Sequence, residues 1–205
     1  MLALVDLSCS RGDKRLFSGF GLQVRAGECW HLQGANGAGK TTLLRTVCGL
    51  VQSEAGQVLW QGEDIRHSEG FRQNLLYLGH QLALKDDFSA LENLRMHARI
   101  QGQAGLSLER ARQALEQLGL RGREHLPVRV LSQGQKRRAA LARLVFSAHT
   151  LWVLDEPLVA LDAAAQEVVG QRLIQHLHSG GSVLMTSHQP VVLPGVTVQT
   201  RSLTV

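Results

Sequence analysis

Short apolar runs broken by glycine-rich turns occupy both ends of the chain, and amphipathic stretches fill its middle. The runs Leu2–Leu7, Leu22–Arg25, Cys29–Gln33, Gln57–Trp60, Leu75–Leu78, Leu151–Leu154 and Ser182–Thr186 predict strands. "LWVLDEP" is apolar at consecutive positions, the pattern of a strand buried on both faces. Apolar residues at helical spacing predict helices over Thr41–Cys48, Ala90–Gln101, Leu108–Leu118, Gln133–His149 and Ala163–His178. Strands fall early and late, with a mostly helical middle from about Ala83 to Val145. That order predicts an α/β layer carrying a helical insertion, and no repeat or proline-rich linker marks a separate domain.

Composition narrows this little. A length of 205 residues suits one domain, and a hydrophobic content of 44% suits an ordinary packed core. No apolar run approaches the roughly 20 residues that span a bilayer. The opening MLALVDLSCS has neither a basic start nor a long apolar run, so no secretory signal is expected. Cys9, Cys29 and Cys48 are odd in number and far apart, which predicts buried thiols in a reducing compartment rather than disulfides or a zinc site. The absence of CxxCH also speaks against covalently attached haem. A net charge of +5 permits an anionic surface as partner, but the arginines are scattered rather than clustered. His176 and His178 share one predicted helix and are expected at its surface.

The chemistry begins at "GANGAGKTT". Gly34, Gly39, Lys40 and Thr41 fit the phosphate-loop spacing, after a predicted strand and before a predicted helix. Glycines let successive N–H groups turn inward around phosphate oxygens, and the helix points its positive end at the same place. Lys40 is expected on the β- and γ-phosphates and Thr41 on Mg²⁺, with Gly34, Ala35, Asn36, Gly37, Ala38, Gly39 and Thr42 completing the ATP contact. Asp155 closes a buried strand and suits Mg²⁺. Glu156 follows, where a carboxylate can polarise the attacking water. His188, after the last apolar run, is placed to orient that water; alone, Glu156 reads equally as a solvated strand-end acid, and a lone histidine is more often structural.

Between these lies "LSQGQKRRAALARL", in which Ser132, Gln133, Gly134 and Gln135 lead straight into a helix. The ordered set of phosphate loop, LSQGQ, LDEP, Ala160-Leu161-Asp162 and a late histidine resembles the ATP-binding subunits of ABC transporters over nearly the whole chain. The resemblance implies a phosphate-loop (RecA-like) NTPase fold with an antiparallel β subdomain and a helical subdomain at 83–145 inserted in a single domain, 1–205. It implies a homodimer sandwiching two ATP molecules with Mg²⁺. Each site would join the phosphate loop, Asp155, Glu156 and His188 of one copy to Ser132–Gln135 of the other, with Ala160–Asp162 as the crossing loop. Such chains also carry an aromatic residue against adenine; here that position is Arg11, whose guanidinium can lie on a purine or stand in solvent. Their coupling-loop glutamine stands twelve residues before the glutamate of an "EN" pair, which here is His80, with Gln81 next; either can meet Mg²⁺ or water.

"KRLFSGFGLQV", "LGHQLALK", "SALENL" and "LWVLDEP" together resemble one subfamily, the ATP-binding subunits of the bacterial cytochrome c maturation (haem exporter) system. That resemblance implies a peripheral protein on the cytoplasmic face of the inner membrane. Its partners would be the membrane subunit CcmB, with CcmC, CcmD and the haem chaperone CcmE, and no nucleic acid. Phe88, Leu91, Leu94 and Met96 then become either a docking cleft or plain core, and Lys136-Arg137-Arg138 either a phosphate-attracting run or a solvated face. An exporter of lipid, drug or peptide would carry the same catalytic residues. A soluble ABC ATPase acting on ribosomes or DNA would bring a second domain or long insertions. A kinase or switch using only the phosphate loop has no use for LSQGQ and LDEP.

Overall fold

The computed structural model describes residues 1–102 and 105–203. In chain order the elements are β1 (Leu2–Arg11), β2 (Lys14–Val24), β3 (Cys29–Gln33), α1 (Lys40–Val47), β4 (Ala55–Trp60), β5 (Glu63–Asp64), α2 (Glu69–Asn74) and β6 (Leu75–Leu78). There follow α3 (Ala90–Ile100), α4 (Leu108–Gln117), α5 (Gln133–Leu141), β7 (Leu151–Leu154), α6 (Ala163–His178), β8 (Ser182–Thr186) and β9 (Val198–Ser202). They form two compact units, one of residues 1–80, 149–157 and 173–205, the other of 81–148 and 158–172.

The first unit contains both sheets. One is antiparallel in the order β2-β1-β4-β5; the other is parallel in the order β6-β7-β8-β3-β9. β7 and β8 lie inside the parallel sheet and every one of their residues is buried, which is why 151–154 and 183–185 run apolar without alternation. A shared core runs from Leu4 and Phe17 of the antiparallel sheet through Leu43 and Leu44 of α1 to Val153 and Leu184 of the parallel sheet. Parallel pairing places the ends of β3, β7 and β8 side by side, with Leu32 opposite Thr186 and Leu154 opposite Met185. Ligands bind beyond such strand ends because the loops there converge.

The second unit is helical. α3 starts on a capping box between Ser89 and Glu92, and α4 on the Ser107 hydroxyl. Leu91 and Leu94 are core residues there, whereas Phe88 is 43% exposed. No described helix is long and apolar enough to cross a membrane.

The first two strands are longer than expected, β1 reaching Arg11 and β2 starting at Lys14, and four further expectations change. The helix predicted over Gln133–His149 ends at Leu141 and tightens into a 3-10 turn at Ala142–Val145, where Ala142, Arg143 and Leu144 are buried. β9 and α2 escaped the apolar pattern because β9 is a half-exposed edge strand and α2 buries only Phe71. Lys136 and Arg138 are not a free solvated face: within the helical unit Lys136 pairs with Asp86 and Arg138 with Asp162.

The fourth concerns His176, which is half-buried, while His178 is exposed. Its imidazole stacks on Trp152 with centroids 3.8 Å apart and 5° between planes, and Nε2–H donates to the Ser182 carbonyl at 3.3 Å. Only glycine fits at 181, since a Cβ there would lie 2.2 Å from the ring. Burial lowers the His176 pKa from 6.5 to about 4, against the opposing pull of the Ser182 carbonyl. Between those values the unfolded chain takes up a proton that the folded chain refuses. The stabilisation is therefore complete above pH 6.5 and is lost as pH falls toward 4. Discounted for partial exposure, this amounts to about 1–2 kcal/mol. Thermal melts followed by tryptophan fluorescence should show a shallower fall in Tm between pH 6.5 and 4 for H176F than for the wild type; parallel curves would refute the assignment.

Candidate functional site: a phosphate loop against an acidic strand end

β3 delivers the chain into the loop Gly34–Gly39, and α1 begins at Lys40. Gly37 and Gly39 have φ of 80° and 98°, in the left-handed region that side chains avoid. At Gly39 space is also short, because a Cβ would lie 2.9 Å from that of Leu16 and 3.3 Å from the Phe17 ring. The Lys40 ammonium folds back across the loop and donates to the carbonyls of Gly34 at 2.6 Å and Ala35 at 3.2 Å. The loop is thus held in a curl with a cation at its mouth. Gly34, Ala35 and Ala38 shape that curl without lining the cavity that it borders.

That cavity, about 240 Å³, lies in the first unit. It collects Asn36, Gly37 and Gly39 to Thr42 from the loop, Asp155 and Glu156 after β7, and His188 after β8. Arg11, at the end of β1, and His80, just after β6, also line it. Gln81, the other expected coupling-loop residue, is an exposed residue of the second unit.

The acidic edge is tightly wired. Asp155 is 2% exposed and its N–H donates to the Leu78 carbonyl at 2.7 Å. Its Oδ2 accepts from the Thr41 hydroxyl at 2.9 Å, and its Oδ1 from the Thr186 hydroxyl at 2.7 Å. Glu156 has φ of 54°, a strained value for a non-glycine residue, and its N–H donates to Thr186 Oγ1 at 2.9 Å. Its carboxylate accepts from the His188 N–H at 3.1 Å and lies 3.6 Å from His188 Nε2. His31, 2% exposed, donates from Nε2 to the Ser187 carbonyl at 3.0 Å and so braces the turn before His188. Burial pushes the nearby Tyr77 phenol up, and the negative Asp155 adds to that shift while Arg45 opposes it.

Chemically, the arrangement offers a lysine and backbone amides for phosphate oxygens and a buried carboxylate held by a histidine. The Thr41 hydroxyl and Asp155 carboxylate are hard oxygen donors of the kind Mg²⁺ takes alongside phosphate and water. No cluster of three His, Cys, Asp or Glu side chains able to hold a metal occurs among the described residues. The thiols are separate, and burial pushes Cys29 up to about 12.

In the second unit, Ser132 and Gln135 cap α5 reciprocally: Ser132 Oγ accepts the Gln135 N–H at 3.3 Å, and Gln135 Oε1 accepts the Ser132 N–H at 3.0 Å. Ser132 and Gln133 are exposed. A Cβ on Gly134 would lie 3.0 Å from the Ala160 carbonyl, so this loop packs on the Ala160-Leu161-Asp162 segment. Asp162 caps α6 through the Ala165 N–H at 2.9 Å and pairs with Arg138 at 3.3 Å. Leu16, which also lines the cavity, Thr186 and His31 were missed by sequence reasoning, because what each touches is set by contacts across strands that no spacing along the chain reveals.

A phosphate loop facing a buried Asp-Glu strand end, with LSQGQ capping a helix elsewhere, defines an ATP-binding cassette. The pattern of the ABC transporter family matches residues 17–159, and the chain belongs to that family. It is an ATP-binding, ATP-hydrolysing domain of the ABC type. The cytochrome c biogenesis ATP-binding export protein CcmA of Nitrosomonas europaea is 48% identical over 97% of this chain and 93% of its own length. Its namesake from Escherichia coli K12 is 45% identical over 100% and 97%, so the chain belongs with the CcmA proteins. Among solved structures, a Pyrococcus furiosus ABC transporter ATP-binding protein superimposes with a TM-score of 0.83 at 25% identity, covering 98% of this chain and 96% of that one. The dimeric cassette MJ0796, at 22% identity and a TM-score of 0.81 over 92% and 88%, shares the fold.

Proposed function

We propose that this chain powers an export machine of cytochrome c maturation by hydrolysing ATP in a site that two copies share. Lys40 and the loop amides bind the β- and γ-phosphates. Thr41 and Asp155 would hold Mg²⁺, with His80 or Gln81 as a further ligand or water partner, and the bound ion would supply charge neutralisation on the phosphates. Glu156 takes the proton of the attacking water, and His188 keeps the carboxylate aimed. Arg11 lies against the base. Ser132–Gln135 of one copy complete the site of the other, with Ala160–Asp162 crossing between them. The whole chain, 1–205, acts as one ATP-binding domain with 83–145 as its helical subdomain.

The observation that carries the reading is the bond set joining Thr41, Asp155, Thr186, Glu156 and His188 at one strand edge. A cavity of about 240 Å³ falls below the roughly 300–1,000 Å³ of self-sufficient ligand pockets, which favours a second wall from another copy. The export role rests on relatives named as cytochrome c biogenesis export proteins. On that basis the chain docks on the cytoplasmic face of the inner membrane under CcmB, alongside CcmC and CcmD, and turnover drives haem export or release of haem-loaded CcmE.

Purification of the tagged chain from detergent extracts tests this. Recovery of CcmB- and CcmC-like membrane proteins is expected. A permease for lipid, drug or peptide, or ribosomes, in their place would overturn the export assignment while leaving the ATPase intact.

A further inference from the structure

We infer that Thr186 is a positioning residue of the hydrolytic centre, one hydroxyl that fixes both the metal-holding and the water-activating carboxylates. This rests on the roles proposed for Asp155 and Glu156. Thr186 is fully buried at the end of β8, the central strand of the parallel sheet. It stands opposite Leu32, which leads into the phosphate loop, and one position beyond the Leu154–Met185 pair, beside Asp155. Its hydroxyl donates to Asp155 Oδ1 at 2.7 Å and accepts the Glu156 N–H at 2.9 Å.

Each bond has a separate consequence. Occupying Oδ1 fixes the carboxylate rotation, so that Oδ2 faces the Thr41 hydroxyl at 2.9 Å. Anchoring the Glu156 N–H pairs a buried backbone donor, at a residue whose φ of 54° must be maintained by its surroundings. That backbone setting turns the Glu156 side chain to the His188 N–H. A methyl group in place of the hydroxyl would remove both bonds, the one that Asp155 Oδ1 accepts and the one that the Glu156 N–H makes. Thr186 touches neither substrate nor metal and works through its two neighbours.

The test compares T186S with T186A, which differ only in the hydroxyl, and adds T186V for shape. Turnover, binding of a fluorescent ATP analogue and Mn²⁺ binding by electron paramagnetic resonance are measured with the full chain, and E156Q serves as control. T186A and T186V are expected to lose about tenfold or more in kcat and to bind Mn²⁺ several-fold more weakly, with ATP affinity nearly unchanged; T186S restores most of both. Wild-type kcat and Mn²⁺ affinity in T186A, or equal defects in T186S and T186A, would overturn the inference. If T186V fails to fold, the T186S/T186A pair still decides. Wild-type turnover in E156Q would instead overturn the proposed roles of the carboxylates, a distinguishable failure.

Discussion

Replacing Glu156 with glutamine should reduce ATP turnover by about 10²–10⁴-fold, the range that a positioned general base supplies, while ATP still binds. Glutamine has the same shape and keeps an oxygen for the His188 N–H, which donates to this side chain at 3.1 Å. The backbone N–H of residue 156 keeps its bond to Thr186 Oγ1. What is lost is the ability to take a proton. Phosphate release at saturating ATP measures the rate, and equilibrium titration with a fluorescent ATP analogue measures binding. A blocked site that still binds ATP should also hold two copies together, so E156Q should elute as a dimer on size exclusion when ATP is present. Phosphate release at the wild-type rate would remove Glu156 from its role.

The second large effect is on binding. Lys40→Ala removes the only side-chain cation that bridges the Gly34 and Ala35 carbonyls among the described bonds, at 2.6 and 3.2 Å. Charge-assisted hydrogen bonds contribute about 1.5–3 kcal/mol each. Loss of one such contact to phosphate therefore weakens ATP binding by about ten- to a hundredfold. The deficit should shrink as salt rises, because screening weakens the wild-type attraction. Isothermal titration at two ionic strengths checks both statements. Unchanged affinity would contradict the phosphate-loop assignment. Lys40→Arg keeps the charge but is not equivalent, since its planar fork does not match the single carbonyl-lined notch that the ammonium fills.

Much of the site was legible along the chain because its parts are local. The loop between β3 and α1 is built by neighbouring residues, and glycine at position 39 is dictated by a φ of 98° and by the nearness of Leu16. Three interior strands, β3, β7 and β8, match the predicted runs residue for residue, since burial in the sheet interior makes most of their side chains apolar. Legibility failed where burial was partial or contacts crossed between elements. β9 pairs along β3 with mostly exposed side chains and therefore has no apolar signature. His176 looked like a surface residue because its helix spacing says nothing of the Trp152 ring that receives it.

By itself, the sequence determined the phosphate loop, the buried Asp155-Glu156 strand end, the helix cap at Ser132 and the family, because each is a short run whose chemistry depends on adjacent residues. The tertiary structure alone decided which side chains meet. Parallel register brings Thr186 beside Asp155 across 31 positions of chain, and it sets the His188 N–H on the Glu156 carboxylate. Such contacts depend on the pairing of distant strands, which is driven by burial of the whole sheet and leaves no spacing rule along the chain.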